Sequence, residues 1–189
     1  AGYVPFSYQQ YFGCISGDRN ILLYCGNPTV SGVPLTVGWA RDDRDSALVP
    51  TSGVLQRANL EVGVGGDMKY YKTNYQYQQF FPINKQYTFA INGDLGYAKA
   101  YGGEVYPIFK NFYAGGLGSV RGFEQNSLGP RDIPLFGQIE GAALGGTKKA
   151  VFNAELSTPF PGAGNDRTLR LYTFMDAGNV FGDRTPWSA

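Results

Sequence analysis

The sequence predicts an all-β fold, an antiparallel meander carrying one long inward-folded loop, and three observations lead there. Six segments between Leu35 and Ala177 alternate apolar with polar residues. Period two is the spacing that sends successive side chains to opposite faces of a strand. The connections between them fall alternately at two ends, as a meander requires: Asp42–Ser52, Pro82–Lys85 and Pro161–Asp166 at one, Gly65–Asp67 and Gly102–Lys149 at the other. The last of these, about 102–149, is far longer than an ordinary connection. Its centre, Asn111 to Arg131, combines many glycines with Phe112, Tyr113 and Phe123, and aromatics of that kind are scarce in disordered segments.

Taken in order, residues 1–33 read as a loop region without sustained alternation. Pro5 to Phe12 suits a short amphipathic helix with Ser7 as its N-cap, and Ile21–Tyr24 a brief strand. Cys14 and Cys25 lie in this polar stretch, either as one local disulfide in an oxidising compartment or as two free thiols. Residues 34–189 then hold the six strands. Leu35, Val37 and Trp39 share a face, followed by Ala58, Leu60, Val62 and Val64 in the second strand. Tyr71, Thr73, Tyr75 and Tyr77 form the third, and Tyr87, Phe89, Ile91, Leu95 and Tyr97 the fourth. Beyond the loop come Phe152, Ala154, Leu156 and Thr158, then Leu169, Leu171, Met175 and Ala177. Gly65-Gly66-Asp67 is a tight-turn signal between the second and third.

Alternation leaves two architectures, a soluble sandwich or part of a transmembrane β-barrel. In a sandwich the polar faces meet bulk water and usually carry many Lys and Glu. Here they hold Asn, Gln, Thr, Gly, Tyr and a few charges, a composition suited to a confined, hydrated lumen. Trp39, Tyr71 and Tyr97 lie near strand ends on the apolar faces, where a membrane barrel places its interfacial aromatics. The chain contains no run of about 18 apolar residues and so no candidate membrane helix, which leaves a β-barrel open. It opens on Ala1-Gly2-Tyr3 without the basic start and apolar core of a signal peptide.

Charge and chemistry exclude several functions. A net charge of +1 offers no electrostatic footprint for nucleic acid. With no histidine and 2 cysteines, neither a Ser-His-Asp arrangement nor a zinc site is expected. Gly115 to Gly122 is not a phosphate loop, because no Gly-Lys-Ser/Thr follows it. Asp42-Asp43-Arg44-Asp45 has the acid density of a calcium loop but lacks its turn glycine, and reads as a charged turn. Neither a cofactor nor a metal is expected.

The run Phe112-Tyr113-Ala114-Gly115-Gly116, then Val120-Arg121-Gly122-Phe123 and Gly129-Pro130-Arg131, resembles the signature loop of the Omp85 superfamily. Ala154–Pro159, Thr173–Phe181, and Val37–Asp45 with Pro50–Gly53 fit it as well, so the resemblance covers most of the chain from about Pro34. It implies an internal piece of a bacterial outer-membrane barrel, without the periplasmic repeats or the seam strands. It also implies non-enzymatic insertion and folding of other outer-membrane β-barrels. The partners would be outer-membrane lipid, unfolded β-barrel clients and accessory assembly lipoproteins. Within the superfamily, TamA-like factors and two-partner-secretion transporters share a similar arginine loop. A passive porin, whose long loop narrows a channel, is the alternative from another class, followed by a soluble sandwich binding module.

Parity carries the site. Glu155 shares a face with Asn153 and Ser157, and Asp176 with Arg170, so both carboxylates point to the polar side. A guanidinium offers a planar fork of donors that carboxylates accept in pairs. Arg121 is therefore either docked on Glu155 and Asp176 or a solvated loop residue. The resemblance implies docking, with Val120, Gly122 and Phe123 as the flanking loop-docking residues.

Overall fold

The computed structural model describes residues 2–5, 29–66, 68–104, 106–131, 141–161 and 169–182. Its strands are β1 (Gly2–Pro5), β2 (Thr29–Asp42), β3 (Gly53–Val64), β4 (Tyr70–Pro82), β5 (Thr88–Ala100), β6 (Lys148–Pro159) and β7 (Arg170–Phe181). They form a 7-stranded sheet in sequential order, each strand antiparallel to the next. The six strands expected between residues 34 and 189 correspond to β2 through β7.

The segment read as loop differs at both ends. Gly2–Pro5 pairs with Thr29–Gly32, and β2 starts at Thr29 rather than near Leu35. Four residues are too few to display a period. Pro5 is thus strand, not the start of a helix. The remainder of that expected helix, Ile21–Tyr24, Cys14 and Cys25 lie outside the described residues.

Register sorts the side chains. Val37 faces Leu60, Leu60 faces Thr73, and Thr73 faces Tyr97. Further along, Gly93 faces Phe152 and Phe152 faces Ala177. One continuous apolar face results, and among the described residues no second layer covers it: Val37 is 70% exposed and Met175 66%. Tyr71 and Tyr97 lie side by side near the loop end of this face, with ring centroids 6.0 Å apart, while Trp39 stands toward the opposite end. A sandwich would bury this face; here it is the outer one.

The buried residues lie on the other side. Tyr70, Ala98, Val151 and Val180 from the sheet pack with Tyr106, Ile108, Phe112, Ala114 and Val120 from the β5–β6 connection. The core is the contact between the polar face and the loop folded onto it. Three bridges (Phe112 with Gly146, Ala114 with Leu128, Arg131 with Ala143) stitch the loop's limbs together. They meet its backbone hydrogen-bonding needs inside a confined space.

Candidate functional site

The loop leaves β5 through a short helical turn, Ile108–Lys110, whose exit is closed by an Asn111 N–H to Ile108 carbonyl bond. Asn111 Nδ2 reaches across to the Leu144 carbonyl at 2.8 Å. The chain then turns sharply at Gly115, with φ +111°, where an added Cβ would stand 2.6 Å from the Glu124 carbonyl oxygen. Only glycine suits both the conformation and the space. Gly116 N–H to the Val120 carbonyl, 3.1 Å, closes the small turn that presents Arg121.

Arg121 meets both carboxylates. Its Nε donates to Asp176 Oδ2 at 2.7 Å and its Nη2 to Asp176 Oδ1 at 2.7 Å, a paired fork. Its backbone N–H donates to Asp176 Oδ2 at 2.9 Å, and Nη1 donates to Glu155 Oε2 at 2.8 Å. Beneath it, the Phe174 ring centroid is 3.7 Å from the guanidinium carbon, close enough for a cation–π contact. Asn153 Nδ2 holds the neighbouring Ser119 carbonyl at 2.6 Å. Asp176 is the buried partner, with 2% of its side chain exposed against 30% for Glu155. The bonds to Asp176 hold the guanidinium proton more tightly than usual against the opposing effect of burial, and Glu155 adds to them.

The expected flanking residues divide. Val120 is buried in the loop-to-wall core. Gly122 is exposed with open space where a Cβ would stand, and Phe123 is 54% exposed, so neither docks on the described wall. The motif named the neighbourhood, but its backbone turns those two away after Arg121.

A second set of contacts, at the loop's root, was not read from the sequence. Tyr70 donates from its hydroxyl to Glu61 Oε1 at 2.5 Å, and Lys110 Nζ lies 3.0 Å from the same carboxylate oxygen. Tyr106 packs edge-on against Tyr70, centroids 5.5 Å apart, and donates to the Lys110 carbonyl at 2.9 Å. Burial, then the nearby Tyr70 and Glu61, push the Tyr106 phenol up from its ordinary value. Lys72 Nζ donates to that same carbonyl at 2.7 Å. Parity placed Glu61 and Lys72 on the polar face; nothing local paired them with Lys110.

These interactions hold a loop against a wall. Among the described residues, no cluster of three or more His, Cys, Asp or Glu could hold a metal ion.

Comparison with known proteins fits this geometry. The Omp85 superfamily domain matches residues 25–189. The outer membrane protein assembly factor BamA of Neisseria meningitidis serogroup B is 45% identical over 152 residues, covering 79% of this chain and 19% of that protein. The human sorting and assembly machinery component 50 homolog is 32% identical over 152 residues, covering 74% of this chain and 29% of that protein. The crystal structure of Haemophilus ducreyi BamA lacking POTRA domains 1–3 superposes with a TM-score of 0.70 at 28% identity, covering 79% of this chain and 30% of that one. The chain thus spans from about a fifth to under a third of the length of these relatives. The apolar outer face, the polar inner face with the loop folded onto it and the superposition together make the sheet part of a transmembrane β-barrel. With the loop folded onto the inner wall and the domain match spanning residues 25–189, the chain belongs to the Omp85 superfamily.

Proposed function

We propose that this chain is the loop-bearing section of a barrel assembly factor that inserts and folds other β-barrel proteins in the bacterial outer membrane. Residues 34–189 supply barrel wall and the 102–149 loop its internal brace. The work is non-catalytic, done against outer-membrane lipid on unfolded β-barrel clients, with accessory assembly lipoproteins bound mainly through other parts of the full-length protein. The names of the Neisseria and human relatives, both assembly components, support this reading.

One observation carries the mechanism: Arg121 is forked onto Asp176 with Glu155 alongside. A guanidinium inside a wall is tolerated only when its donors find acceptors. The three groups therefore set where the loop sits, and the loop in turn ties β6 to β7. Arg121, Glu155, Asp176 and Val120 act in docking.

The test is a charge swap in the full-length protein. Arg121→Glu is expected to cripple outer-membrane protein assembly in cells, and adding Asp176→Arg or Glu155→Arg to restore part of it. A silent Arg121→Glu overturns the docking mechanism. Intact assembly with altered solute conductance would point instead to a passive channel.

A further inference from the structure

The loop is fastened at a second point, independent of the arginine. Phe112 is 6% exposed, and its ring lies directly over Gly96 of β5. A Cβ at residue 96 would stand 2.7 Å from two ring carbons, so only glycine admits the ring. Two ammonium groups flank it: Lys72 Nζ on β4 is 4.4 Å from the ring centroid and Lys149 Nζ on β6 is 5.7 Å. Both distances are within reach of the ring's negative face. Neither cation is left uncompensated, since Lys149 pairs with Asp94 and Lys72 donates to the Lys110 carbonyl. The backbone of Phe112 is fixed as well: it exchanges two hydrogen bonds with Gly146, at 2.8 and 3.0 Å, joining the outgoing and returning limbs.

We propose that Phe112, seated on Gly96 between Lys72 and Lys149, is a positioning residue that holds the loop in register for Arg121. The inference rests on the docked-loop reading and deepens it. Arg121 fastens the tip to β6 and β7, while Phe112 fastens the root across β4, β5 and β6. The two lie nine positions apart. With the root fixed, the arginine has little volume to search before it finds Asp176. Without the seated ring, more of the connection must be ordered as the tip docks, and docking pays a larger ordering cost.

The readout is hydrogen exchange of residues 115–123 in the full-length protein in lipid bilayers, where the Arg121 amide is protected by its bond to Asp176. Phe112→Ala is expected to speed exchange of this segment on the order of tenfold while β6 and β7 stay protected. Gly96→Ala should do the same by displacing the ring, and the pair Gly96→Ala with Phe112→Leu should recover part of the protection, because the smaller side chain clears the new methyl. Unchanged exchange in Phe112→Ala overturns the proposal. So does equal loss of protection throughout β6 and β7, which would make Phe112 a general core residue, or a double variant no better than Gly96→Ala alone. Client assembly, scored in parallel, keeps the two readings apart. Faster exchange with normal assembly upholds the anchor and sinks the proposed need for a docked loop.

Discussion

Asp176 and Glu155 share one arginine unequally. Asp176 receives three of the four bonds from Arg121, one of them from the backbone, and is almost fully enclosed; Glu155 receives one and is partly open to solvent. Removing a buried partner strands the other charge, at a cost of about 3–5 kcal/mol, whereas a pair screened by solvent contributes less. Asp176→Ala should therefore free the 115–123 amides to exchange far faster than Glu155→Ala does. Equal effects would show that the two acids are interchangeable. Both acids were legible in the sequence, because alternation alone decides which side of a strand a residue takes. Phe112 was visible as part of a motif but not as an anchor. Its partners Lys72, Gly96 and Lys149 lie on three strands, and only the register brings them together. Phe123 misled for the opposite reason: a neighbour in sequence to a docked arginine need not point the same way.

At the scale of elements, the β2–β3 turn is a self-contained unit. Asp45 accepts from the Thr51 hydroxyl and from the N–H groups of Thr51 and Ser52. Burial works to raise its pKa, but these donors outweigh it and hold the carboxyl below its ordinary value of 3.8. A depressed folded-state pKa means the carboxylate stabilises the turn fully above the unfolded value and loses that contribution as pH falls through the folded one. The Thr51 and Ser52 amides should thus keep their protection from neutral pH down to roughly pH 4 and lose it below. Asp45→Asn should abolish that dependence; a protection profile insensitive to acid in the unaltered protein would refute it. The sequence read this segment as a polar charged turn, and its strand ends within a few residues. The short β1 was missed because pairing with β2, not any pattern of its own, makes it a strand.

For the whole molecule, the decisive property is an apolar face that no second layer covers among the described residues. Val37 stands outward at mid-strand, and Thr36 beside it points inward. Val37→Arg should cost about 2–4 kcal/mol of folding stability in a bilayer, the penalty for a cation near the midplane, while Thr36→Arg should be tolerated. Folding titrations in liposomes measure both; comparable costs would mean the faces were assigned the wrong way round. The alternation that gives this answer was readable in sequence, while its sign rested on the composition of the polar faces and on the family resemblance. A strand's period is the same whether its greasy side meets lipid or another sheet, and the loop filling the opposite face agrees with lipid.

That the loop closes on strands so far apart in sequence has a kinetic meaning. Arg121 reaches a partner 55 residues on, and Lys72 one 38 residues on, so both fasteners are non-local contacts whose loop-closure cost is expected to be met after neighbouring strands have paired. Asp176 stands opposite Asn153 in the ladder. A slip of one residue between β6 and β7 would swing it to the outer side and offer Met175 or Ala177 in its place. The arginine would then have nothing to grip. Docking of the loop is thus a checkpoint on strand alignment, a final latch that closes only over a correctly threaded wall.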